Sequence, residues 1–383
     1  MSINIDSKLP AVGTTIFTVI GELANRHQAI NLGQGFPDFS APQALLDRVD
    51  YHIQHGHNQY APMAGVATLR EAIAAKVEQS YGRPISADRE VTVTPGATAA
   101  LYCAITACVR PGDEVIVFDP AYDSYEPAIQ LSGGCAVHLP LLPPAFAIDW
   151  QRVKDAINPR TRMIILNSPH NPTGATLSAD DLATLAELVR DSDILLLSDE
   201  VYEHLIYDGE THQSLLCHAE LAARAFVVYS FGKTYHVTGW KTGYCIAPAA
   251  LTAELRKVHQ YVCFVAVTPI QLALADFMRD CPEHYRQLPA FYQRKRDLFC
   301  ERMSGSRFRF SPAKGTFFQL MDYSEINELD DMAMAEWLTR EKGVAAIPVS
   351  VFYKEPPAAR YVRFCFAKQD ETLIKAAELL CRI

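Results

Sequence analysis

Lys233 stands three residues beyond the apolar run "AFVVYS" (225–230), inside the stretch "SFGKTYHVTGWKTGY" (230–244), and Lys241 stands eight positions further on. A lysine at the end of a core-facing run is rarely buried unless it is paired or reactive. Two chemistries suit it: gripping a phosphate or forming a covalent bond. Gly232, Lys233 and Thr234 match the tail of a P-loop, G-x-x-x-x-G-K-[ST], but the first glycine of that pattern would fall on Val227. A valine there cannot let the backbone turn its amides toward a phosphate chain. Lys233 is therefore no P-loop lysine.

Other apolar runs also end in residues able to do chemistry. "EVTVT" (90–94) leads into "PGATAALYCAI", where Pro95, Gly96, Ala97 and Thr98 make a tight turn into a helix. Such a helix start offers free amides and a positive dipole end to an anion, although a plain glycine turn reads the same way. "RMIILN" (162–167) is followed by "SPHNPTG", in which Asn171-Pro172 is good turn chemistry in its own right. "DILLLSD" (193–199) ends in Asp199, with Tyr202 three residues on. An acid closing an apolar strand is desolvated unless it has a partner, or it is simply a helix cap. A dinucleotide fingerprint is absent, because "NLGQGFPDF" offers Gly33 and Gly35 but places Asp38 where the third glycine belongs.

These ends together provide an anion cradle, an amide side chain, a carboxylate with a phenol close by, and a lysine. Pyridoxal 5'-phosphate would use all of them, through its phosphate, ring nitrogen, phenolate oxygen and aldehyde. The lysine would hold it as a Schiff base, and the carboxylate would keep the pyridine nitrogen protonated. No metal is expected, since the 12 histidines form no H-x-x-x-H or Cys/His cluster.

The elements needed to position these residues are legible. Short β-branched runs alternate with amphipathic stretches from about 90 to 250, which argues for an α/β fold with a mostly parallel sheet and helices on both faces. Ligands of such sheets collect outside the carboxyl ends of the strands. From 283 the pattern changes: a long helix, then "RFRF", "TFFQLM", a helix near 330–341, "VAAIPVS", "YVRFCF" and a last helix, an α+β lobe against which the first ~45 residues are expected to pack. With 383 residues the chain exceeds the roughly 250–300 at which single cores tend to split. The expected division is an N-terminal segment 1–45, a large domain 46–280 and a small domain 281–383. A formal charge of −9 gives no footprint for nucleic acid. Ten cysteines without C-x-x-C pairs, no membrane-length apolar run and no secretory leader point to a cytoplasmic protein.

Over nearly its whole length the chain resembles the class I and II aminotransferases of fold type I. The motifs that carry the resemblance are "NLGQGFPDF", "NQYAPMAG", "PGATAALY", "NSPHNPTG", "SDEVYEHL", "SFGKTYHVTGWKTGY" and "YVRFCFAK". "AAIPVSVFY" and "RFCFAK" look most like the branch of bacterial methionine aminotransferases and kynurenine or glutamine-K transaminases. The resemblance implies a fold type I transferase with a seven-stranded, mostly parallel sheet, pyridoxal phosphate as cofactor, and a homodimer with shared active sites. By position it implies Lys233 as the Schiff-base lysine, Asp199 at the ring nitrogen, and Tyr202 with Asn171 at the ring hydroxyl. Gly96, Ala97, Thr98, Ser230 and Lys241 would bind the phosphate. Many relatives carry arginine where Lys241 stands, and lysine keeps the charge without the fork. Tyr122 would stack on the ring, and Tyr60 would reach the phosphate of the neighbouring subunit. Arg363 would grip the substrate α-carboxylate, with Gly35 and Asn171 beside it. As an alternating position in "YVRFCF", Arg363 also reads as an ordinary exposed strand residue.

The substrates implied are an amino acid and a 2-oxo acid, exchanged in a ping-pong cycle. "HQYVCFVAVTPIQ" (259–271), which resembles the partner-subunit segment near the side-chain pocket, contains no arginine to match an acidic substrate. Phe17, Tyr60, Tyr122 and Phe352 would give an apolar, aromatic pocket suited to methionine, phenylalanine, tyrosine or kynurenine, or would be ordinary core. Two rivals remain at this stage: a carbon–sulfur β-lyase using the same cofactor, and a non-catalytic pyridoxal phosphate-binding regulator.

Overall fold

The computed structural model describes residues 5–383, so the first four residues of the 1–45 segment lie outside the described residues. In chain order the strands are β1 (Ile30–Asn31), β2 (Val91–Thr94), β3 (Glu114–Asp119), β4 (Cys135–Pro140), β5 (Thr161–Asn167) and β6 (Leu195–Asp199). They continue with β7 (Ala225–Ser230), β8 (Gly243–Ile246), β9 (Phe318–Asp322), β10 (Val344–Ala345), β11 (Ile347–Pro348) and β12 (Tyr361–Cys365).

The apolar runs between 90 and 250 form one sheet of seven strands in the order β2-β8-β7-β6-β5-β3-β4. The pairings among β4, β3, β5, β6 and β7 are parallel. β8 runs antiparallel to both β7 and β2. It is the strand that periodicity did not single out, because "GYCI" is short and sits inside the lysine motif. Alternate residues serve opposite faces, as the pleat requires. Val115 and Val117 pack with Leu101 and Ile105 of the helix Ala97–Cys108. Ile116 and Phe118 belong to the other cluster, with Leu182 and Leu185 of the helix Ala179–Val189. That helix opens with a reciprocal Ser178–Asp181 capping box. Burial on both faces explains why these strands read as continuous apolar runs.

β9, β12 and β11 form a separate antiparallel sheet. It packs with the helices Glu283–Met303 and Asp370–Leu380 through Phe299, Met303, Phe364, Leu373 and Leu380. "RFRF" forms no strand, only one isolated antiparallel bridge between Arg309 and Asp322. The helix Ile16–His27, capped by Thr15, sets Ile20 and Ala24 against Ala335, Ala345 and Ile347. β1 pairs in parallel with β10, which ties this early segment to the C-terminal elements.

The decisive consequence is register. Asn167 at the end of β5 pairs with Asp199 at the end of β6, and Asp199 with Val228 of β7, two residues before Ser230. Strand ends far apart in sequence are thereby set side by side.

Candidate active site

The helix Ala97–Cys108 begins at Gly96, whose φ of 83° lies in the left-handed region, and no side chain caps its first amides. Those amides are the free donors expected of an anion site. β8 approaches this turn so closely that a Cβ on Gly243 would lie 2.9 Å from the Ala97 nitrogen and 2.5 Å from the Tyr229 carbonyl. Only glycine fits at that position. Lys241, just before β8, adopts a φ of 49°, and its side chain lies along Gly96. Ser230, at the end of β7, lines the same cavity.

Asp199 is buried at the end of β6. Its Oδ2 accepts a hydrogen bond from the Tyr125 hydroxyl at 2.8 Å, and its Oδ1 one from the Val201 amide at 3.4 Å. Burial pushes its carboxyl up to about 6, against the opposing effect of the Tyr125 bond. Asn167 holds the same turn: its Nδ2 donates to the Asp199 carbonyl at 2.8 Å, and its Oδ1 accepts from the Asn171 amide at 2.9 Å.

Lys233 sits in a single-turn helix, Phe231–Thr234, directly after β7. Its Nζ donates to the Gly35 carbonyl at 3.1 Å and lies 5.6 Å from the centre of the Tyr202 ring. Burial, with help from the charges of Arg363 and Lys241 and against those of Cys365 and Asp199, pulls the ammonium down to about 8. A free amine is thus accessible near neutrality, which suits a nucleophile and base.

Arg363, in the middle of β12, is 1% exposed, which excludes an ordinary exposed strand position. Its Nη1 donates to Asn171 Oδ1 and its Nη2 to the Gly33 carbonyl, both at 2.8 Å. The guanidinium carbon lies 3.9 Å from the centre of the Phe318 ring. The Nε has no hydrogen-bond partner among the described residues. A buried guanidinium whose partners are neutral, with its Nε–H and further N–H groups left over, is a ready receptor for a carboxylate.

These groups surround one cavity of about 290 Å³. Lys233, Asp199, Tyr202, Asn171, Gly96, Ala97, Thr98, Tyr122, Ser230, Lys241, Gly35, Arg363 and Phe17 all line it. Phe352 stands one ring behind, 5.9 Å from Phe17 and 6.0 Å from the Arg363 guanidinium carbon. Tyr60 is not in the cavity of its own chain; it is 83% exposed and packs edge-on against Phe264. Motif reading missed Gln34, Asn167, Thr238 and Phe318, which also line the cavity. Asn167 was findable, because it ends an apolar strand as Asp199 does. Phe318 carried no signal, since its role comes from the Arg363 stack across two strands.

The family description "Aminotransferase class I and II" matches residues 27–380. The chain belongs to that family. This aminotransferase is 54% identical over 374 residues to the methionine aminotransferase of Escherichia coli (strain K12), covering 98% of this chain and 97% of that protein. It is 33% identical to human kynurenine–oxoglutarate transaminase 3, over 97% of this chain and 89% of that protein. Its structure matches the crystal structure of Escherichia coli YbdL, reported with a methionine aminotransferase function, at a TM-score of 0.98, 53% identity and full coverage of both chains.

The aminotransferase is a pyridoxal phosphate enzyme, and the residues present fit that group. Uncapped helix amides beside Lys241 suit a phosphate, and the buried Asp199 suits a protonated ring nitrogen. Lys233 has both the cavity position and the lowered basicity that a covalent link needs.

Proposed function

We propose that this aminotransferase takes methionine as amino donor, with aromatic amino acids, kynurenine or glutamine as further donors, and passes the amino group to a 2-oxo acid. The observation that carries this reading is the charge inventory of the cavity. Among its lining residues the cations are Lys233, Lys241 and Arg363. With Lys241 at the phosphate, Lys233 at the reacting carbon and Arg363 on the α-carboxylate, no cation is left for a side-chain carboxylate. Phe17, Phe318 and Tyr122 leave an apolar wall in its place. Thioether–aromatic contacts there are worth roughly 0.3–1.5 kcal/mol each, and apolar pockets discriminate only weakly, so several donors are expected. The test is the single-turnover absorbance change of the bound cofactor on mixing with each amino acid. Methionine is expected to react with a kcat/KM well above that of aspartate; the reverse order would overturn the assignment.

Bound pyridoxal phosphate supplies an electron sink that acidifies the substrate Cα–H and carries the amino group between half-reactions. The helix start at Ala97 and Thr98, with Ser230 and Lys241, holds the phosphate. Asp199 would hold a proton at the ring nitrogen, and Tyr202 and Asn171 would bond the ring oxygen. Tyr122 stacks on the ring. Arg363, beside Asn171 and Gly35, orients the substrate by its carboxylate. Lys233 would hold the cofactor covalently and, as a free amine, would be the base that takes the proton from the substrate Cα and the acid that gives it back. Nothing favours the lyase or the regulator over transamination, since the relatives above are aminotransferases.

Arg363→Lys keeps the charge and loses the fork. Losing one charge-assisted bond of about 1.5–3 kcal/mol lowers kcat/KM for methionine roughly ten- to hundredfold. Steady-state kinetics check it; an unchanged value would remove Arg363 from the substrate site.

The same reading includes a homodimer with shared active sites. Tyr60, Tyr261, Phe264 and Val267 are exposed apolar residues of the kind an interface covers, and Tyr60 would serve a neighbour's phosphate from there. A cytoplasmic location is supported by ten unpaired cysteines. No helix among the described residues is long and apolar enough to cross a membrane. For the division into 1–45, 46–280 and 281–383, the support is that one hydrophobic cluster centres on the seven-stranded sheet and another on the three-stranded sheet, with Leu320 and Val349 reaching into the first and Tyr202, Leu205 and Tyr207 into the second.

A further inference from the structure

We propose that Tyr125 is a positioning residue that keeps Asp199 ionised, so that the proton between this carboxyl and the cofactor ring resides on the ring nitrogen. The inference rests on the placement of Asp199 at that nitrogen proposed above and adds a residue that no motif assigned.

Tyr125 opens the short helix Tyr125–Leu131 and is 3% exposed. Its hydroxyl donates to Asp199 Oδ2 at 2.8 Å, across 74 residues of sequence. Its ring meets Tyr122 edge-on at 5.8 Å, so one loop supplies both the stacking ring and the donor to the carboxylate. A donor to the charged form favours that form.

The other groups facing Asp199 do this job less well. On its own segment the Val201 amide reaches Oδ1 at the longer distance of 3.4 Å, while Glu200, the next residue, opposes the charge. From the turn after β7, Lys233 favours the ionised form, yet its own charge is weakened by burial. Tyr202 and Tyr122 are near enough to feel the carboxylate, and neither hydrogen-bonds it. Burial alone would drive a proton onto Asp199 and leave the ring nitrogen neutral. Burial also pushes the Tyr125 phenol well up from its ordinary value, so it stays protonated and remains a donor.

Removing the hydroxyl need not disturb packing. Tyr125 borders a second cavity of about 540 Å³, lined with it by Phe118, Leu141 and Phe146. A phenylalanine retains the ring and loses one oxygen.

The experiment is nitrogen-15 NMR of the enzyme reconstituted with pyridoxal phosphate labelled at the ring nitrogen. Wild type, Tyr125→Phe and Asp199→Asn are compared, with kcat and KM for methionine measured alongside. Asp199→Asn marks the neutral-nitrogen limit. In Tyr125→Phe the resonance is expected to move from the wild-type position toward that limit. Its kcat is expected to fall roughly ten- to hundredfold with KM little changed, the scale of one lost hydrogen bond to a charged group. A resonance that stays at the wild-type position in Tyr125→Phe while Asp199→Asn moves would overturn the inference. If Asp199→Asn does not move either, the placement of Asp199 fails instead. Should Tyr125→Phe not hold cofactor, a 3-fluorotyrosine placed at 125 decides, because it is a stronger donor. It is expected to hold the resonance at, or beyond, the wild-type protonated position, and movement toward the neutral limit would overturn the inference.

Discussion

Lys233→Ala is expected to lower kcat with methionine by about 10⁴-fold or more, beyond the usual upper range for losing one positioned acid–base group. The loss should exceed that of a simple base because the same Nζ also forms the covalent link. Both proposed roles fall on one atom. It lies in the cavity wall, its ammonium is pulled down to about 8, and its one hydrogen-bond partner is the neutral Gly35 carbonyl. The measurement is the cofactor absorbance after adding methionine, together with borohydride reduction and mass analysis of the peptide carrying residue 233. Reduction should fix cofactor to wild type and leave the alanine variant unlabelled. Wild-type turnover by the variant would refute the assignment.

Lys76→Met is expected to destabilise the fold by about 3–5 kcal/mol, the usual effect of leaving a buried charge without its partner. Lys76 and Glu203 form an ion pair whose side chains are each 4% exposed. Glu203 also accepts from the hydroxyls of Tyr81 and, at 3.4 Å, Tyr244. The Lys76 ammonium lies 4.9 Å from the Tyr229 ring centre. Burial alone would push the Glu203 carboxyl up, but Lys76, His204 and the hydrogen bonds outweigh it and bring it down to about 2.

A folded value below the ordinary 4.5 stabilises the native state above that pH, and the gain is lost as pH falls from about 4.5 toward about 2. In Lys76→Met the sign reverses. Burial then dominates and raises Glu203, so protonation relieves the unpaired charge. The stability gap between wild type and variant should be widest near pH 7 and narrow on acidification. Denaturant melts at several pH values read this directly. A second variant, Lys76→Met with Glu203→Leu, should recover most of the loss, because an apolar replacement of both partners is often neutral. A gap that does not vary with pH would mean that Glu203 is not the charge left behind.

This network stands behind the site. Glu203 is one residue beyond Tyr202, and Glu200, beside Asp199, is held by His212 at 2.9 Å and Tyr229 at 3.0 Å. The turn after β6 is thus anchored on its buried side by the Lys76–Glu203 ion pair and the hydrogen bonds to Glu200, while its open side carries Asp199 and Tyr202.

What was legible in the chain was local. Continuous apolar runs announce strands buried on both faces, and the residue that ends each run must point toward the sheet's carboxyl edge. Pro95-Gly96, Asn171-Pro172, Asp199 and Lys233 could be read that way, because each signal lies within a few residues. The motifs then carried the family. β8 escaped, since four residues with a glycine make too weak a pattern, and "RFRF" misled, since alternation alone does not create a partner strand.

What tertiary structure decided was everything that depends on two distant segments meeting. Register placed Asn167 against Asp199. Folding brought Arg363 to Asn171 across 192 residues and Tyr125 to Asp199 across 74. It also turned Tyr60 away from its own cavity and set Phe352 one ring behind Phe17. The physical reason is that a side chain's type fixes what it can bond, whereas its burial and its partner set its charge, and those exist only once the chain has closed. Sequence pointed to a lysine, an acid and an arginine as members of one proposed cofactor site; only the fold determined that the lysine is less basic and the acid less acidic than usual, and that the arginine keeps an unpartnered Nε–H among the described residues.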